Sequence, residues 1–164
     1  MVLTNHPQAI VGRVSWVFGA KGEGFLEKIF RLIHEQTPLE AVADKYSLPT
    51  STIEIAKALD FLLKQKEHGL FHLTQSASEP VSWHSYAEEV AAAVHEIGLT
   101  AAKLPVQPQK MTDIPALRAN RPIHTAMQPA RLAQIGYPMQ DWKVVLRERV
   151  KELHEKNLQK NSQH

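Results

Sequence analysis

The chain has no cysteine, which excludes disulfides and thiolate metal sites and favours a cytoplasmic setting. No apolar run approaches the roughly 18 residues of a membrane span. Met1-Val-Leu-Thr-Asn-His-Pro7 has neither a basic leader nor a long apolar core, so an export signal is not expected. Neither sign of charge dominates: the formal net charge of +2 is too small to argue for nucleic acid, and much of the basicity falls in the last helix and tail. Nine histidines are present, but His68 and His72, or His84 and His95, make no compact ligand set, and no metal site is expected. Ser15, Ser76, Ser82 and Ser85 lack the context of a nucleophile elbow, so hydrolase chemistry has no support.

What the sequence contains is globular in character. Its 164 residues, 43% hydrophobic and 22% charged, suit one ordinary domain but are short for a complete two-domain dehydrogenase. Ala9 to Phe18 is β-branched, aromatic and apolar on both faces, the pattern of a strand buried in a parallel sheet. Phe25, Leu26, Ile29, Phe30 and Ile33 then fall on one face of a helix. Leu39 to Asp44 suits either a short strand or a helix start. Thr50 or Ser51 caps a helix through Leu63 that Gly69 closes, and Leu70 to Thr74 is a second strand. Ser82 caps a helix running to Gly98. Thr100 to Pro122, with four prolines, is expected to be an extended connection. A short strand at His124 to Met127, a small helix at Pro129 to Ile135 and a final helix from Asp141 follow. The tail from about Glu155 is expected to fray.

Two motifs compete for a function. Gly19-Ala-Lys-Gly-Glu-Gly24 lies between a strand and a helix with Asp44 about 20 residues on, as in a dinucleotide-binding turn. The spacing fails, however, because the required glycines would fall at Phe25 or Glu27, and Glu23 would face phosphate. Pro38 to Ala56 also fits a helix-turn-helix, with Ala43, Ser47 and Ile53 at its small, turn and core positions. Against a DNA-binding regulator, its second helix carries Glu54 and Asp60 and begins with no Arg, Asn or Gln to read base edges.

A third pattern spans nearly the whole chain. It comprises Arg13-x-Ser15-Trp16-Val17-Phe18-Gly19, Phe25, Asp44 with Pro49-Thr50, Gly69-Leu-Phe-His-Leu73, Ser82-Trp83 with Tyr86-Ala87, Arg121-Pro122 with Thr125, and Asp141-Trp142. In this order the chain resembles the C-terminal portion of the dTDP-4-dehydrorhamnose reductase family of extended short-chain dehydrogenases/reductases. The resemblance implies an α/β fold: the last strands of a Rossmann-type parallel sheet with a small α/β substrate-binding lobe. It divides the chain into 1–76, mainly the end of the nucleotide-binding sheet with an insertion from the substrate lobe, 77–154, mainly that lobe, and the tail 155–164.

The same resemblance implies a cytoplasmic oxidoreductase of dTDP-rhamnose biosynthesis, reducing the 4-keto group of a nucleotide-linked deoxysugar with NADPH or NADH. Trp16, Phe18, Phe25 and Arg121 become substrate-binding residues, with Trp16 against the sugar and Arg121 on the diphosphate. This chain departs from the family where Gly24 replaces an Asn and where Asp44-Lys45-Tyr46-Ser47 replaces Asp-Gln-x-Gly. No Tyr-x-x-x-Lys pair is present either, since Tyr46, Tyr86 and Tyr137 are followed four positions on by Thr50, Val90 and Asp141. The expectation is therefore a fragment inactive alone, with no catalytic residue and no cofactor of its own. The first strand is expected to offer an open edge to a separate N-terminal half or to a second copy. A non-catalytic sugar-nucleotide module, as in the regulatory subunit of methionine adenosyltransferase, is the alternative on the same fold.

Overall fold

The computed structural model describes residues 2–19, 24–114 and 122–161. In chain order the elements are α1 (Val2–Asn5), β1 (Ile10–Arg13), β2 (Trp16–Phe18), α2 (Phe25–His34), β3 (Leu39–Val42), β4 (Tyr46–Ser47) and β5 (Pro49–Ser51). There follow α3 (Thr52–Lys64), β6 (Gly69–His72), β7 (Val81–Ser82), α4 (Trp83–Glu96), β8 (Val106–Gln109), a 3₁₀ turn (Met111–Asp113), α5 (Ala130–Gln134) and α6 (Trp142–Asn161). The fold is mixed α/β with parallel strand pairs. No helix among the described residues is long and apolar enough to cross a membrane. The chain forms two compact units that alternate along it: Met1–Lys21, Ser47–Pro80 and Thr125–Trp142 make the first, and Gly22–Tyr46, Val81–His124 and Lys143–His164 the second.

In the first unit β1 runs parallel to β6, with Ile10 opposite Gly69 and Arg13 opposite His72, as the two apolar runs predict. The expected strand from Ala9 to Phe18 is nevertheless two strands. Its second part, β2, leaves that ladder and pairs in parallel with β5, Trp16 opposite Pro49 and Phe18 opposite Ser51. The break falls at Ser15, whose hydroxyl donates to the Thr125 carbonyl at 2.9 Å and accepts the Leu48 N–H at 3.4 Å. Gly12 leaves room for the Leu73 side chain, whose Cδ1 would stand 2.5 Å from a Cβ there.

Ser51 caps α3, its hydroxyl accepting the Ile53 N–H at 3.2 Å while its own N–H donates to Gln75 Oε1 at 2.8 Å. The helix ends at Lys64, and Lys66 (φ 56°), not Gly69, supplies the left-handed residue that turns the chain. Gly69 (φ +98°) instead opens β6, where Arg131 donates to the carbonyls of His68 at 2.8 Å and Leu70 at 3.0 Å and lies 4.0 Å over the Phe71 ring. Ala58, Leu62, Phe71, Leu73, Leu132 and Met139 form this unit's core. A helix-turn-helix over Pro38–Ala56 is ruled out, because Leu39–Val42, Tyr46–Ser47 and Pro49–Ser51 are strands.

In the second unit α2 buries Leu26, Ile29, Phe30 and Ile33 at the predicted helical spacing and packs on α4, which in turn packs on β3 and β8. Leu39 to Val42 resolves as a strand, parallel to β8, with Leu39 opposite Val106 and Val42 opposite Gln109. The proline-rich connection is thus not wholly irregular. Pro108 is tolerated in β8 because, among the described residues, that strand pairs on one side only. His84 of α4 ties the strand in by donating from Nε2 to the Val106 carbonyl at 2.9 Å. The strand expected at His124 to Met127 reduces to one bridge, His124 to Tyr46, whose rings stack with centroids 4.7 Å apart. The last helix is continuous to Asn161, across the segment expected to fray.

Arg149 is the charged anchor of this unit. Its side chain, 8% exposed, meets Glu27 of α2 at 3.1 Å and Glu152 at 2.8 Å. Replacing it by Met would strand the Glu27 carboxylate, itself 15% exposed. We expect Arg149→Met to cost about 3–5 kcal/mol and Leu62→Ala, in the other core, about 2–5 kcal/mol, measured by urea unfolding. Tyr86 packs nearby, fully buried. Burial pushes its phenol pKa up, the Glu27 charge adds to the rise, and Arg149 opposes it. The folded chain therefore holds this proton at pH values above about 10, where an unfolded tyrosine releases it. Stability should fall as pH rises beyond about 10, and Tyr86→Phe should flatten that fall in melts recorded from pH 8 to 11.

Candidate functional site

The second unit contains an open cleft of about 600 Å³. One wall comes from the first turns of α2, with Phe25 and Ile29, and another from Ala41 and Val42 of β3. Trp83, the first residue of α4, and Glu40, Gln109, Asp113 and Ile114 lie in the lining too, which therefore carries two carboxylates. The aromatic corner is built by local sequence. Ser82 and Ser85 form a reciprocal cap, the Ser82 hydroxyl accepting the Ser85 N–H at 2.9 Å and the Ser85 hydroxyl accepting the Ser82 N–H at 3.0 Å. That cap fixes the start of α4 and so Trp83, whose ring sits 5.7 Å from Phe25 at 44°. Phe25 in turn rests on Tyr86, with centroids 5.8 Å apart.

Polar groups rim the cleft. The Asp44 carboxylate accepts the Met111 N–H at 2.8 Å and so anchors the 3₁₀ turn that brings Asp113 to the edge. Gln109 donates its amide to the Glu40 carboxylate. Lys28 adds a cation to the lining, and Lys45 places Nζ 5.4 Å from the centre of the Trp83 ring. A flat, apolar corner beside cations is chemistry for a planar ring carrying an anionic group. A second cavity of about 470 Å³, by Phe30, Ile33, Val94 and Leu99, has no Lys, Arg, Asp or Glu in its lining and lacks that character.

Of the residues expected to bind substrate, Phe25 lines the cleft. Trp16 and Phe18 lie on β2 of the first unit, Trp16 partly buried and Phe18 buried. Trp16 opens that strand and Phe18 ends it. Arg121 lies outside the described residues. Trp83 and Lys45 were not singled out as site residues. Trp83 reads as an ordinary core tryptophan, and only its place immediately after the Ser82 cap marks it as the head of a helix.

The start of α2 does not suit a dinucleotide diphosphate. Gly24 donates its N–H to the Glu27 carboxylate at 3.1 Å, so an anion already occupies this helix N-terminus.

Comparison with known proteins places this architecture. The RmlD substrate binding domain model matches residues 1–155. The dTDP-4-dehydrorhamnose reductase of Aggregatibacter actinomycetemcomitans is 30% identical over 156 residues, covering 90% of this chain and 51% of that protein. Among solved structures, the reductase of Clostridium acetobutylicum superposes with a TM-score of 0.79 at 22% identity, over 93% of this chain and 51% of the other. That of Bacillus anthracis, determined in complex with NADP, gives 0.72 at 23% identity, over 86% and 47%. This chain spans about half the length of the curated relatives it matches. By the extent of that model match, with the same fold recurring in solved reductases, the chain belongs to the RmlD substrate-binding-domain family.

Proposed function

We propose that this chain supplies the nucleotide-sugar-binding part of a dTDP-4-dehydrorhamnose reductase-like enzyme. The observation that carries the reading is the Phe25–Trp83 corner of the cleft, two aromatic faces beside cations inside the family-matched residues. In the complete enzyme a hydride would pass from NADPH or NADH to the 4-keto carbon of a dTDP-linked deoxysugar, as the relatives' names and the NADP-bound Bacillus anthracis reductase suggest. Within this chain the work is binding and orientation. Phe25 packs a ligand ring, Trp16, on the same strand as the buried Phe18, offers apolar surface to the sugar, and Arg121 presents a planar guanidinium to the diphosphate. Residues 1–76 would mainly end the nucleotide-binding sheet, with an insertion from the substrate lobe, and 77–154 would mainly form that lobe. β1, paired on one side only among the described residues, is the edge where the rest of the enzyme or a second copy would add.

Titration with dTDP followed by calorimetry tests this directly. Saturable binding should appear, weakened about tenfold by Phe25→Ala. Absence of any heat at millimolar dTDP would overturn the assignment.

A non-catalytic binding module of the same fold is the second reading, favoured by Glu27 at the α2 N-terminus and by the lack of a Tyr-x-x-x-Lys pair. Both readings predict that the isolated chain oxidises no NADPH or NADH with a dTDP-4-keto sugar, because no group here delivers the proton. An absorbance assay at substrate saturation checks it, and turnover above background that disappears in Trp16→Ala would refute the absence of catalysis.

A further inference from the structure

Lys45 is 9% exposed, yet among the described residues no carboxylate lies within ion-pairing distance of its ammonium. Its sequence neighbour Asp44 already accepts the Met111 N–H, and Glu40 on the adjacent strand accepts from Gln109. Among the described residues the Lys45 ammonium meets a ring face, Nζ standing 5.4 Å from the centre of Trp83. A buried cation is costly without a counter-charge, and a ring face compensates only part of what water or an anion would supply. The same ring lines the cleft, so a ligand packed on Trp83 touches a ring whose centre is 5.4 Å from this ammonium.

We propose that Lys45, in addition to Arg121, receives the diphosphate of a nucleoside diphosphate whose ring lies in the Phe25–Trp83 cleft. The proposal rests on the function proposed above and adds to it a further residue that reads the anionic end. It also divides the labour of the site. The aromatic pair recognises the planar part of the ligand, and Lys45 distinguishes the phosphorylated ligand from the bare nucleoside. A lysine with a buried stem suits this role, because its position is set by packing while its head stays a compact point charge.

Calorimetric titration of the whole chain with dTDP and with thymidine, for wild type, Lys45→Met and Lys45→Arg, tests the assignment. Met keeps the apolar stem and removes the charge; Arg keeps the charge. We expect Lys45→Met to weaken dTDP about tenfold, to leave thymidine unchanged and to reduce the salt dependence of dTDP binding, while Lys45→Arg stays near wild type. Should Lys45→Met bind dTDP as wild type does, the role of Lys45 falls although the proposed function stands. Equal losses for dTDP and thymidine would show that Lys45 only supports Trp83 by packing, and would overturn the charge role. If wild type binds neither probe, the proposed function fails and takes this assignment with it.

Discussion

A strand cannot reach a parallel partner through a tight turn; the chain must travel back to the starting end of the sheet before it can pair. The three ladders formed by β1 and β6, β2 and β5, and β3 and β8 are all parallel. Each therefore encloses a long intervening stretch, and that stretch builds something. Between β2 and β5 the chain makes α2 and β3, which belong to the second unit; between β3 and β8 it makes α3 and β6, which belong to the first. The alternation of the two units along the sequence follows from this geometry. It needs no long structureless linker, since the crossovers are themselves helices and strands.

Within the second unit one buried cation organises several elements. Arg149 of α6 reaches Glu27 of α2, whose other oxygen accepts the Gly24 N–H, so a single carboxylate closes both the helix cap and the ion pair. The helix so fixed begins with Phe25, and Phe25 sets the packing of Trp83 and Tyr86. Position is thus handed from an electrostatic contact to a cap, and from the cap to the aromatic wall of the cleft.

Much of this was legible in the residue pattern because it is local. The apolar spacing from Leu26 to Ile33 gave α2, and Ser51 and Ser82 gave two helix starts. That β1 and β6 are parallel strands of one sheet followed from two apolar runs. The division of the first strand was not legible, because its cause is a Ser15 hydroxyl held by Thr125 and Leu48, 110 and 33 positions away. Nor was β8, where Pro105 and Pro108 read as irregular chain although a one-sided ladder leaves a proline's missing donor without cost. At the site, Phe25 was identified through the resemblance to the reductase family, while periodicity placed it on the apolar face of its helix. Trp83 and Lys45 were not, since neither periodicity nor charge pattern shows that a tryptophan beside a cap lines a cleft or that a lysine is buried against it.

The alternation of the two units has a genetic corollary. The chain passes from one unit to the other after residues 21, 46, 80, 124 and 142. No single cut yields an intact unit, so a nick or a recombination crossover at any interior point divides at least one of them. Exchanging one unit for a foreign counterpart would therefore require several simultaneous exchanges along the chain.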